Sequence, residues 1–189
     1  MSTAAKNSLL KITEEPPKNA YFIMTLEDIS NTLDTIKSRA AVYQMDNYTR
    51  ENIDEYARRS HKPAESDFEI IHAICDVPGD VDLLYTYKPS EFYNYVIQVV
   101  DNINEVEGAN AFKIADKLAL KQDSTGYDVK LFLRAFMAIC VSRMQTEPLK
   151  YASGTSITSK YISQLGIKGI SKQMLIDGWL LEIRKYWMR

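Results

Sequence analysis

After Asn47 the chain offers no run that reads as a β-strand. From there to the C-terminus the apolar residues recur at helical spacing. Phe92, Val96, Val99 and Ile103 fall on one face. Ile176, Leu180, Ile183 and Trp187 follow one another at intervals of four, three and four. Tyr127 to Met144 is apolar nearly all round, with Leu131, Phe132, Phe136, Ile139 and Cys140, as the central helix of a bundle should be. This pattern confines three-quarters of the chain to helix-on-helix packing.

Helix ends follow from local chemistry. Thr49 is a capping residue before a helix to Arg59, with Glu51 in the first turn, and His61-Lys62-Pro63 breaks the chain. A second helix spans Asp67 to Asp76 and stops at Pro78-Gly79, and a third runs from Asp80 to Tyr87. Pro89 and Ser90 open a longer helix that ends at Glu107-Gly108. Ala111 to Lys121 follows, then a turn at Asp123 to Gly126. The run Tyr151-Ala152-Ser153-Gly154-Thr155-Ser156 reads as a loop, with a short helix near Ser159 to Gln164 and a last helix from Ser171 to Trp187.

The first 47 residues read differently. Ala5, Leu9 and Ile12 mark a helix over residues 3 to 13, which Pro16-Pro17 stops because proline lacks a donor and restricts its predecessor. Ala20 to Thr25 and Ala41 to Met45 read as short buried strands, separated by a helix from Ile29 to Lys37 that Asp28 caps. Helix, strand, helix, strand is the closing portion of a doubly wound sheet, too small to cover both faces by itself. On that reading Met1 is an internal methionine of a longer protein, a late start codon or the edge of a truncation.

The net charge of −2 over 189 residues argues against a generally basic nucleic-acid binder, although the tail after Ile157 is mildly basic and reads as a solvated face. Cys75 and Cys140 stand far apart without metal-ligand spacing and read as buried thiols. No stretch approaches the roughly 20 apolar residues of a membrane span, and the N-terminus lacks a signal peptide's apolar core, so a cytoplasmic location is expected.

Two segments carry a family likeness. Ala4-Ala5-Lys6-Asn7-Ser8-Leu9-Leu10-Lys11-Ile12-Thr13-Glu14-Glu15-Pro16-Pro17 and Thr35-Ile36-Lys37-Ser38-Arg39-Ala40 resemble the second half of the ATPase module in bacterial DNA polymerase III clamp-loader subunits, an AAA+ family. The delta-prime type is the nearest pattern. The resemblance implies a mainly α chain: residues 1–47 the C-terminal part of an AAA+ α/β domain, 48–88 a helical lid, and 89–189 a helical collar for oligomerisation. It implies that Arg39, with Ser38 before it, acts in trans as an arginine finger on ATP and magnesium bound by a neighbouring subunit. A held guanidinium stabilises the charge that phosphoryl transfer spreads over phosphate oxygens. Without the resemblance, Arg39 reads as a surface residue paired with a carboxylate.

The sequence departs from the pattern at three places. Ala40 replaces a cysteine, and Leu26, beside Thr25, stands where a phosphate-sensing polar residue would be. Asp76, Asp80 and Asp82 lie where an active ATPase carries an arginine, and would repel phosphate. No G-x-x-x-x-G-K-[ST] loop occurs, so the chain is not expected to hydrolyse ATP by itself and binds no cofactor of its own. The implied partners are the gamma or tau and delta subunits, with the sliding clamp and primed DNA reached indirectly. The alternatives are a fragment of an ATP-hydrolysing gamma or tau subunit, and a non-catalytic helical scaffold.

Other constellations read as structural. Glu14-Glu15 belongs to the turn before the prolines. His72 reads as a hydrogen-bonded core histidine. Tyr85, Tyr87, Phe92, Tyr93 and Tyr95 lack interleaved basic residues apart from Lys88 and read as packing rather than base stacking. Trp179 and Trp187 serve either a subunit interface or the core.

Overall fold

A computed structural model describes residues 12, 14, 16–26, 29, 34–103, 114, 117, 118, 126–167 and 169–188. The chain divides into two compact units, Met1–Asn47 and Tyr48–Arg189. Eight helices have their bounds among the described residues, and no strand occurs there. The chain is mainly α, as its periodicity implies.

In the first unit, α1 is a single turn, Asp34–Lys37, whose Ile36 is buried. The helix expected over 3–13 and the start of the one expected from Ile29 lie largely outside the described residues. The two expected strands are not formed: 20–26 and 41–47 carry no ladder hydrogen bonds, and Tyr21 and Ile23 are each 93% exposed. The physical reason is that a strand exists only where a neighbour takes its backbone donors and acceptors. Apolar, β-branched composition makes these segments able to join a sheet. It cannot supply the sheet.

The second unit is built from seven helices. Helix α2, Arg50–Ser60, starts in a capping box: Asn52 N–H donates to Thr49 Oγ1 at 3.3 Å and Thr49 N–H donates to Asn52 Oδ1 at 3.0 Å. Helix α3, Glu65–Ile74, has the Ala64 N–H at its start held by Asp67 Oδ2 at 3.1 Å. Helix α4 covers Pro78–Thr86. The expected break before Pro78 is present, with α3 ending at Ile74, but the next helix starts at Pro78 rather than at Asp80, because proline at the first helical position forfeits a donor that would be unpaired anyway.

Helix α5, Pro89–Asn102, also begins on proline. The segment 104–125, apart from Ile114, Lys117 and Leu118, lies outside the described residues, and with it most of the helix expected from Ala111 to Lys121. Leu118 and Tyr127 then form an isolated parallel bridge. Helix α6, Val129–Ser142, is capped by Asp128, whose carboxylate accepts from Leu131 N–H at 3.0 Å. Helix α7 runs over Pro148–Gln164, and α8, Lys172–Trp187, is capped by Ser171.

One apolar cluster runs from Ile53 on α2 to Trp187 on α8. Helix α6 is its axis: it buries eight side chains and packs against α3, α5 and α7. Helix α8 lies on α7 and sends Trp179 edge-on to Phe132 and Phe136, at ring-centre distances of 5.7 and 4.8 Å. Both tryptophans are thus core residues. Trp179 Nε1 donates to Thr158 Oγ1 at 3.0 Å and Trp187 Nε1 to the Lys150 carbonyl at 2.9 Å.

The expected loop at 151–156 is the middle of α7. Gly154 there signals close packing rather than a turn, while Ser153 and Thr155 donate their hydroxyls to carbonyls of the same helix. A Cβ at Gly154 would lie 2.7 Å from the Trp187 ring and 3.1 Å from Cys140 Sγ, so only glycine lets the three helices close up.

Candidate functional site

Arg39 lies just past α1, at a helix end tightened by two backbone bonds. Ser38 N–H donates to the Asp34 carbonyl at 2.9 Å and Arg39 N–H to the Ile36 carbonyl at 3.1 Å. Ser38 Oγ also donates to the Thr35 carbonyl at 3.1 Å, and Arg39 Nη1 donates to the same oxygen at 2.8 Å. These bonds satisfy carbonyls that the helix end leaves open, and in doing so they aim the arginine. Its other terminal nitrogen, Nη2, pairs with Glu14 Oε1 at 3.2 Å.

The Arg39 side chain is 41% exposed. Two of its five N–H donors face protein acceptors, and an ion pair at that exposure contributes about 0–1 kcal/mol. A phosphate oxygen, carrying more charge than a carboxylate, competes well for such a guanidinium. Arg39 therefore has the surface carboxylate partner that a reading without the family likeness expects, together with the accessibility to exchange it. Glu14 gains a specific role here that its place before two prolines did not suggest. Thr25 and Leu26 lie in irregular, exposed backbone.

In the second unit, Asp76, Asp80 and Asp82 are engaged internally. Arg134 on α6 reaches the turn between α3 and α4, where Nη1 donates to Asp80 Oδ2 at 2.7 Å and Nη2 pairs with Asp76. Asp80 Oδ2 also accepts from Asp76 N–H at 3.1 Å. Asp82 accepts from His61 Nε2 at 2.7 Å and from the Tyr56 hydroxyl at 2.8 Å. These two partners hold its carboxyl below the usual aspartate range. The sequence reading missed Arg134, although a cation in the middle of an apolar helix is itself a signal that a partner exists.

The remaining candidates are structural. His72 Nε2 meets Asp54 Oδ1 at 2.6 Å, tying α3 to α2 at a partly exposed position rather than in the core. Tyr87, Phe92 and Tyr95 gather around Tyr127, with ring centres 5.1 to 5.2 Å from it. Cys75 and Cys140 are free and buried, and burial pushes both thiols up to about 12. At that value they are protonated and unreactive at neutral pH. Among the described residues no group of three or more histidine, cysteine or carboxylate side chains is placed to hold a metal ion, and no helix is long and apolar enough to cross a membrane.

The match to a family model falls on the unit that carries Arg39. The family described as "DNA polymerase III, delta subunit" matches residues 1–49. The DNA polymerase III subunit delta' of Buchnera aphidicola subsp. Baizongia pistaciae is 30% identical over 91 residues, a match covering 48% of this chain and 26% of that protein. The chain thus spans about a quarter of the length of the relative it matches. No solved structure matches. Over residues that include both Ser38 and Arg39, the chain is similar to delta-type subunits of DNA polymerase III.

Proposed function

We propose that this chain acts as a delta-prime-like clamp-loader subunit in DNA replication. Residues 1–47 correspond to the end of an AAA+ domain, 48–88 to a lid and 89–189 to a collar that joins it to gamma or tau and delta subunits. Arg39 leaves Glu14 and inserts into the ATP site of a neighbouring subunit. There it meets the charge that develops on the transferred phosphoryl group, while Ser38 and Thr35 keep the end of α1 rigid behind it. The chain contributes this guanidinium and no phosphate-binding loop, so turnover belongs to the neighbour. Opening of the sliding clamp on primed DNA is the indirect result.

One observation supports this reading above the others. The arginine expected of the motif is an exposed guanidinium, braced by its own helix end and held by a replaceable surface pair, within the segment similar to delta-type subunits.

The test is reconstitution of a clamp loader with this chain in the delta-prime place. Arg39→Ala is expected to leave assembly intact and lower ATP hydrolysis by about a thousandfold at the adjoining site. Arg39→Lys should rescue little, since an ammonium cannot present a planar fork. An unchanged rate would refute the finger. Failure to co-purify with any loader subunit would refute the subunit assignment.

A further inference from the structure

Helix α8 is apolar on two faces. One face carries Leu175, Ile176, Trp179, Leu180, Ile183 and Trp187 into the core. The other presents Met174, Leu181 and Met188, which are 69, 69 and 64% exposed. A spacing of seven residues keeps these three in one stripe, drifting by only about 20° per interval on a straight helix. Surface helices ordinarily place charge there, so an uncovered apolar stripe calls for an occupant.

The residues beside the stripe say which one. Leu181 is its midpoint, with a methionine seven residues to either side. Asp177 and Arg184 lie on one flank, four residues before and three after that midpoint. Gly178 and Lys185 lie on the other. Among the described residues Asp177 is held only by Gln173 of its own helix, at 3.0 and 3.1 Å, and Arg184 enters no ion pair.

We propose that this stripe is the docking face for a second copy of the chain, the two α8 helices running antiparallel about a two-fold axis at Leu181. Such an axis carries each flank onto the same flank of its counterpart, as an isologous interface requires. Leu181 then meets Leu181, and Met174 meets Met188 of the second copy. Asp177 falls within reach of Arg184 of the second copy, and the pairing repeats on the other side of the axis. Lys185 passes over Gly178, which has no side chain to obstruct it. A parallel two-fold would instead set each flank against the opposite one, placing Arg184 beside Lys185 and leaving Asp177 opposite Gly178, so charge selects the antiparallel direction. The face is narrow, and the dimer it supports is weak and concentration-dependent.

This inference uses residues 172–188 alone and is independent of the role assigned to Arg39. Sedimentation of the full chain should show a monomer–dimer equilibrium, and Leu181→Glu, at an exposed position, should weaken it about tenfold or more. Asp177→Arg and Arg184→Asp should each weaken it, and the two together should restore it. Leu181→Cys should form a disulfide-linked dimer on oxidation, because only the residue on the axis faces itself, whereas Met174→Cys should cross-link efficiently only when mixed with Met188→Cys. The native cysteines are buried and do not compete. A chain that stays monomeric at every concentration overturns the proposal, as does a Met174→Cys chain that cross-links to itself in preference to Leu181→Cys. A dimer indifferent to both charge reversals also overturns it.

Discussion

Arg134 shows how much one side chain can organise. It is 18% exposed and neutralises two carboxylates that lie 54 and 58 positions away in sequence. Removing it leaves Asp80, itself largely buried, without its countercharge. Loss of one member of a buried ionic cluster costs about 3–5 kcal/mol. Arg134→Met keeps the aliphatic stem and so isolates the charge. Urea denaturation of that variant is expected to show a loss of this size, and a loss under 1 kcal/mol would mean that water already screens the cluster.

At the scale of elements, α7 is the instructive case. Gly154 in a helix interior ordinarily costs about 1 kcal/mol relative to alanine, so Gly154→Ala would stabilise an isolated helix. Here the added Cβ meets a tryptophan ring that Phe136 and Tyr151 hold in place, at ring-centre distances of 5.5 and 5.7 Å. Overpacking of this kind costs about 1–3 kcal/mol. The thermal midpoint should fall rather than rise.

The same position explains a misreading. A glycine marks a turn when it faces water and close packing when it faces a ring, and sequence gives the residue but not what it faces. Where the signal is local it was legible: Thr49 caps the helix that follows, and the periodicity of α6 and α8 names their buried faces. That Arg39 takes a surface carboxylate partner was legible, but that the partner is Glu14 was not, because a pairing across 25 positions has no local signal. The break at Pro78 was legible, but the next helix was placed two residues late, since proline is compatible with the first turn of a helix and hostile to its interior.

The whole molecule comprises two units of unequal self-sufficiency. Tyr48–Arg189 encloses a continuous core of large side chains, whereas among the described residues of Met1–Asn47 only Ile36 is buried. A chain reduced to 48–189 is therefore expected to keep its helical circular dichroism and a single cooperative unfolding transition. Residues 1–47 made separately should show neither, because a few short segments cannot cover a sheet or a core. Noncooperative melting of 48–189 would show that its core depends on what precedes it.

Within that larger unit, the guanidinium of Arg134 rivets the turn between α3 and α4 to the central helix. The helices from Arg50 to Thr86 are thereby tied to the central helix by charge as well as by apolar packing. Swinging those helices away from the central one would first have to break this ion cluster.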